Sequence, residues 1–122
     1  MIILGLAVAG AIGAVLRYGV DHRVQRRSGS SFPFGILVVN VSGSLVLGVL
    51  VGSAAHHGVS GDWLTVAGTG LIGAYTTFST FTFDTVRLGE NGRWGSSALN
   101  VAVSIGVGIG AAAAGLALGS LT

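Results

Sequence analysis

Four long apolar runs, roughly residues 2–18, 34–55, 63–83 and 96–118, leave this chain little choice of fold. A helix needs about 20 apolar residues to cross a bilayer core, and all four runs approach or exceed that length. Only 8% of the 122 residues are charged and the mean hydropathy is +0.82. Soluble domains of this size usually carry about 25% charged residues, so the polar surface of a water-soluble fold is missing. The expected fold class is all-α: an integral membrane protein with four transmembrane helices, read as one domain over residues 1–122. The first run begins at Ile2 with no basic residue before it and is longer than a signal-peptide core, so it reads as a retained span.

The three linkers differ sharply in charge. Arg17, Arg23, Arg26 and Arg27 lie at or in the first, and Arg87 and Arg93 in the third. The second linker and both termini carry none, and the chain has no lysine. With four crossings the first and third linkers share one membrane face, so every arginine falls there. The positive-inside rule then predicts a multi-pass protein of the cell membrane with that face cytoplasmic and both termini outside. A net charge of +2 is too small and too local to suggest nucleic acid as a partner.

The third run is the anomaly. It ends in Tyr75-Thr76-Thr77-Phe78-Ser79-Thr80-Phe81-Thr82-Phe83, preceded by Gly73 and Ala74. Lipid tolerates so many hydroxyls only where they face protein, water or an ion. A glycine followed by paired threonines can open a helix and free backbone carbonyls, so a break is predicted near residues 73–77. Phe78 and Phe81, three apart, share a helical face. Aromatic rings have positive edges, and a small anion can be held edge-on between two of them.

Other intramembrane polar groups are few. Asn40 and Ser44 form a four-residue step on the second run, continued by Gly48 and Gly52. Asn100 and Ser104 repeat the pattern on the fourth, with Ser97 near its start and Gly108 beyond. Two such stripes can line one polar track. Arg17 ends the first run and is either a snorkelling side chain or a fixed charge at a pore vestibule. Glycines and alanines at four-residue steps (Gly5, Ala9, Gly13; Gly48, Gly52; Gly106, Gly110) predict close helix packing in lipid. No nucleophile elbow or phosphate loop is present, the acids fall near or outside the membrane faces, and there is no cysteine. An enzyme is not expected.

At Gly13-Ala14-Val15-Leu16-Arg17-Tyr18, Asn40-Val41-Ser42-Gly43-Ser44 and Gly73-Ala74-Tyr75-Thr76-Thr77-Phe78-Ser79-Thr80-Phe81 the chain resembles the CrcB/Fluc family of fluoride channels. The resemblance covers the whole chain, and the Thr-Thr-Phe-Ser-Thr-Phe run is its most specific part. It implies an antiparallel dimer with two fluoride paths and a structural, untransported Na+ near its centre. It further implies that Gly73 and Thr76 offer backbone carbonyls to that sodium, and that Phe78 and Phe81 turn ring edges to fluoride. By the same resemblance Asn40 is a pore donor, Ser79, Thr80 and Ser104 belong to the polar track, and Arg17 matches a first-span arginine. The family often has a tyrosine one turn before the fourth-span serine; here Asn100 stands there, an amide in place of a phenol.

The expected function is passive, fluoride-specific export across the cell membrane. Two alternatives share the four-span plan: a small proton-coupled multidrug-type transporter, and a non-conducting partner subunit of a heterodimeric channel. The first needs a membrane-embedded glutamate, which no predicted span contains. The arginine bias adds its own expectation. A strictly antiparallel homodimer needs one chain inserted both ways, whereas six arginines on one face favour a single orientation and hence an oppositely oriented paralog as partner.

Overall fold

The computed structural model describes residues 1–122, and every regular element in it is helical. Helices α1 (Ile2–Ser28), α2 (Phe34–His57) and α6 (Trp94–Leu121) are each long and apolar enough to cross a membrane. The remaining crossing is composite. It begins as α3 (Gly61–Leu64), widens into a π-helix (Thr65–Ile72) and tightens again in α4 (Gly73–Tyr75). After a non-helical step at 76–78 it resumes as α5 (Ser79–Glu90). The chain is thus a four-crossing, all-α membrane protein whose third crossing is broken where the glycine and threonines predict it.

Two helices outrun the expected membrane spans. The first linker was expected from Gly19, yet α1 continues ten residues beyond Tyr18. Residues 20–28 contain neither proline nor glycine, so nothing stops the helix until Gly29 adopts a left-handed conformation at φ 58°. At 27 residues α1 is about 40 Å long, longer than the ~30 Å hydrocarbon core. Likewise α5 runs past Asp84 to Glu90, and the expected 84–95 linker shrinks to a short turn with Gly92 at φ 77°.

Packing follows the small residues. A Cβ on Gly48 would overlap Ala112 O, and one on Gly115 would overlap Leu45 O, so α2 and α6 touch backbone to backbone. A Cβ on Gly13 would overlap Leu71 O, which fixes α1 against the π-helical segment. With no hydrophobic effect between helices in lipid, such close approach is the source of van der Waals association. The expectation fails on one stretch: Gly106, Gly108 and Gly110 meet no atom of this chain. The interior is correspondingly sparse, with Val39 and Asn100 the largest fully buried side chains, while Leu4, Val15, Phe83 and Ile109 are exposed. Most other buried positions are glycines, and the apolar exterior suits a bilayer solvent.

Candidate functional site

The break in the third crossing is built by competition for backbone hydrogen bonds. Thr76 directs both its N–H (2.9 Å) and its Oγ1 hydroxyl (3.1 Å) to Ile72 O. It then turns extended, at φ −79° and ψ 159°. The next N–H, that of Thr77, leaves the helix and donates to Asn40 Oδ1 at 2.8 Å. Asn40 Nδ2 returns a bond to Thr77 O, also 2.8 Å. One amide on α2 therefore replaces both helical partners of Thr77, which is how a non-helical step survives at membrane depth. Asn40 itself is held by the packing of α2, and its carbonyl accepts the Ser44 hydroxyl at 2.8 Å.

Thr77 also restarts the helix. Its Oγ1 accepts the Thr80 N–H at 3.2 Å and so satisfies one of the free donors in the first turn of α5. The same hydroxyl lies 3.3 Å from Ser79 Oγ and donates to Thr80 Oγ1 at 3.2 Å. The break thus leaves two unlike ends. On the carbonyl side, none of Thr76, Thr77 and Phe78 donates to Gly73 O, and Thr76 O receives only a long 3.5 Å bond from Arg17. On the amide side, the Phe78 N–H makes no hydrogen bond within the chain. The first carries partial negative charge and the second partial positive charge, as helix ends do.

Phe78 and Phe81 stand beside the amide end with ring centroids 5.8 Å apart and planes tilted by 48°. Phe78 is 75% exposed. It borders an open groove of about 260 Å³ with Asn40, Ser44, Leu47, Thr76 and Thr77. Ser79 is exposed and Thr80 half-buried.

Asn100 and Ser104 form a second cluster with α5. Asn100 is 2% exposed, its Nδ2 donates to Thr85 Oγ1 at 2.9 Å, and its Oδ1 accepts Ser104 Oγ at 3.4 Å. Ser97 Oγ donates to Thr85 O at 2.8 Å. Thr85 Oγ1 in turn donates to Phe81 O at 2.8 Å. The chain Asn100–Thr85–Phe81 ties the phenylalanine half-helix to α6.

Arg17 sits at the break, its guanidinium reaching Thr76 O, eleven residues before the end of α1. The other arginines lie towards the linkers, where a cavity of about 440 Å³ gathers Asp21, Gln25, Thr80, Asp84, Arg87 and Arg93. Asp84 pairs with Arg87 at 3.3 Å, and Arg93 donates to Ser31 Oγ. This cavity reaches from the arginine-bearing end of the bundle to Thr80.

Three residues of the site were not singled out from the sequence as site residues. Thr77 is the hub of the break, Thr85 bridges α5 to α6, and Tyr75 pairs with Ser42 Oγ at 2.9 Å. Because Ser42 gives its own proton to Val39 O, the Tyr75 hydroxyl is the donor. Ser42 lies two residues after Asn40 and so on another face of α2, and no spacing in the sequence pointed to its pairing with Tyr75.

Comparison with known proteins agrees with this architecture. The family model described as "CrcB-like protein, Camphor Resistance (CrcB)" matches residues 4–116. A fluoride-specific ion channel, FluC 1, of Leifsonia xyli subsp. xyli is 40% identical over 121 residues, covering 99% of this chain and 88% of the relative. FluC 2 of Mycobacterium bovis, likewise named a fluoride-specific ion channel, is 46% identical over 101 residues, 83% of this chain and 77% of the relative. The FluC channel of Shewanella amazonensis is 41% identical over 102 residues, covering 84% and 82%. With its four crossings, its broken third helix and these relatives, the chain belongs to the CrcB family.

Proposed function

We propose that this protein is a subunit of a fluoride-specific channel through which fluoride leaves the cytoplasm passively. The observation that carries the reading is the pairing of Phe78 and Phe81, ring centroids 5.8 Å apart, beside the amide end of the broken helix. An unpaired anion in a low-dielectric interior costs tens of kcal/mol by the idealised Born estimate. Ring edges, the free Phe78 N–H and the hydroxyls of Ser79 and Thr80 replace part of its water shell. None of them is a fixed cation, so the ion is not held too tightly to leave. Ser104 extends the polar lining along α6, while Asn100, buried and bonded to Thr85 and Ser104, supports it from behind and does not face the path itself. The relatives are named as ion channels, which supports conduction and not catalysis.

The groove beside Phe78 is open on one side, so a second, antiparallel subunit completes each path. Gly73 O and Thr76 O are neutral oxygen donors without a full set of hydrogen bonds, the chemistry a hard monovalent cation takes. They suit a structural sodium whose other ligands come from the opposing subunit. Arg17, at the Thr76 carbonyl, adds fixed positive charge beside the break. Five of the six arginines, all but Arg17, lie towards one end and favour a cytoplasmic face formed by the first and third linkers, both termini outside, and a partner paralog of opposite orientation. Lipid surrounds the assembly.

Complementation tests this reading. In a fluoride-hypersensitive strain lacking its own exporter, the chain and its paralog together should restore growth in millimolar fluoride. Unchanged sensitivity with both chains in the membrane would refute it.

A further inference from the structure

The end of α1 carries a feature that the conduction path does not use. Arg23, Arg26 and Arg27 are all exposed and line a cleft of about 350 Å³ with no other residue in its wall. The single ion pair of the molecule is Arg87–Asp84, and only Arg17 and Arg93 donate guanidinium hydrogen bonds. Three guanidinium groups therefore converge with no protein partner. Guanidinium is weakly hydrated and presents a planar fork of donors that matches phosphate oxygens.

The helix face leading to this cleft says which phosphate it takes. Val8, Ile12, Val15, Gly19, Arg23 and Arg26 recur at three- and four-residue steps along α1 and so share one face. Val8, Ile12 and Val15 are exposed. Gly19 has open space where a side chain would stand, leaving a notch between the apolar stripe and the arginines. Tyr18, 71% exposed and stacked on His22 at 5.6 Å with planes 8° apart, edges the notch with the kind of amphipathic ring that is enriched at membrane interfaces. A free anion would need the cleft alone. An apolar track that ends in a notch and then in unpaired arginines fits one molecule, a phospholipid with its chains along Val8–Val15 and its phosphate among the guanidinium groups.

We infer that the arginine cleft at the end of α1 is a binding site for an anionic phospholipid. It is independent of fluoride conduction. The site holds the overhanging end of α1 on the membrane surface, and the cost of displacing that lipid resists tilting of α1.

The test is native mass spectrometry of the purified full chain from uncharged micelles, titrated in turn with dioleoyl phosphatidylglycerol, dioleoyl phosphatidylcholine and inorganic phosphate. Phosphatidylglycerol should bind at least tenfold tighter than phosphatidylcholine. Each basic residue near a membrane surface contributes about 1 kcal/mol to anionic-lipid attraction, or about fivefold in affinity. Arg26→Gln should therefore lower the preference about fivefold, and the triple change of Arg23, Arg26 and Arg27 to Gln should abolish it with helical circular dichroism unchanged. If the triple variant does not fold, Arg26→Gln alone decides. Equal affinity for the two lipids, an unaltered preference in Arg26→Gln, or displacement of phosphatidylglycerol by millimolar phosphate would overturn the assignment.

Discussion

The side-chain amide of Asn40 closes on the backbone of Thr77 from both sides, accepting its N–H and donating to its carbonyl, each at 2.8 Å. One residue thereby stabilises a chain break that lipid would otherwise forbid, and it fixes where α5 and its phenylalanines begin. Asn40→Ala would leave two backbone groups without partners, each costing about 1–3 kcal/mol. The expected outcome is loss of fluoride flux together with an unfolding midpoint in denaturant clearly below wild type. A variant that conducts normally would show that the clamp is dispensable.

Phe81 should matter for flux and not for folding. It stands 5.8 Å from Phe78, centroid to centroid, and isoleucine keeps its apolar bulk while removing the ring edge. Phe81→Ile is expected to elute as the wild-type assembly on size exclusion and to release fluoride no faster than empty liposomes. Undiminished release would reject the ring-edge role.

Thr85 transmits the position of Asn100 to Phe81, because its hydroxyl accepts from Asn100 Nδ2 and donates to Phe81 O. Thr85→Val conserves shape but removes both bonds, and a hydrogen bond of this kind is worth about 1 kcal/mol net. Fluoride flux should fall several-fold, while Thr85→Ser, which keeps the hydroxyl, should restore it. Equal rates in all three proteins would mean that Asn100 does not act through this bridge.

The sequence made much of this legible. The four crossings followed from apolar length, and the break near residues 73–77 from glycine beside paired threonines. Gly13 and Gly48 were readable as packing glycines because their spacing repeats. What escaped is instructive. The helical overhang of α1 and α5 was invisible to hydropathy, since a helix does not stop where the membrane does, only where Gly29 or Gly92 permits a left-handed turn. Asn40 was readable as a polar group needing partners, but not as the partner of Thr77, which is 37 residues away in sequence. Gly106, Gly108 and Gly110 look like packing residues by spacing, yet face open space, because spacing alone does not say which chain supplies the neighbour.

The α2–α6 seam supplies a stability prediction. A Cβ on Gly115 would overlap Leu45 O, and overpacking a well-packed contact costs about 1–3 kcal/mol. Gly115→Ala should lower the thermal midpoint of the micelle-solubilised protein, whereas Gly95→Ala, at a position open to space, should leave it unchanged or raise it slightly. Equal effects at the two positions would mean that the seam is not close-packed.

Orientation can be read directly because the chain has no cysteine. Ser60→Cys, between α2 and α3, should react with an impermeant maleimide added to intact cells, and Ser31→Cys should react only after lysis. Equal external labelling of both would show dual insertion and remove the need for an oppositely oriented paralog.

The most direct test of the central claim is fluoride release from liposomes, followed with a fluoride electrode after valinomycin is added to collapse the potassium gradient. The protein should be purified with whatever subunit it assembles with in its own membrane. Rapid release of fluoride with retention of chloride is predicted, and release no faster than from protein-free liposomes would contradict the account.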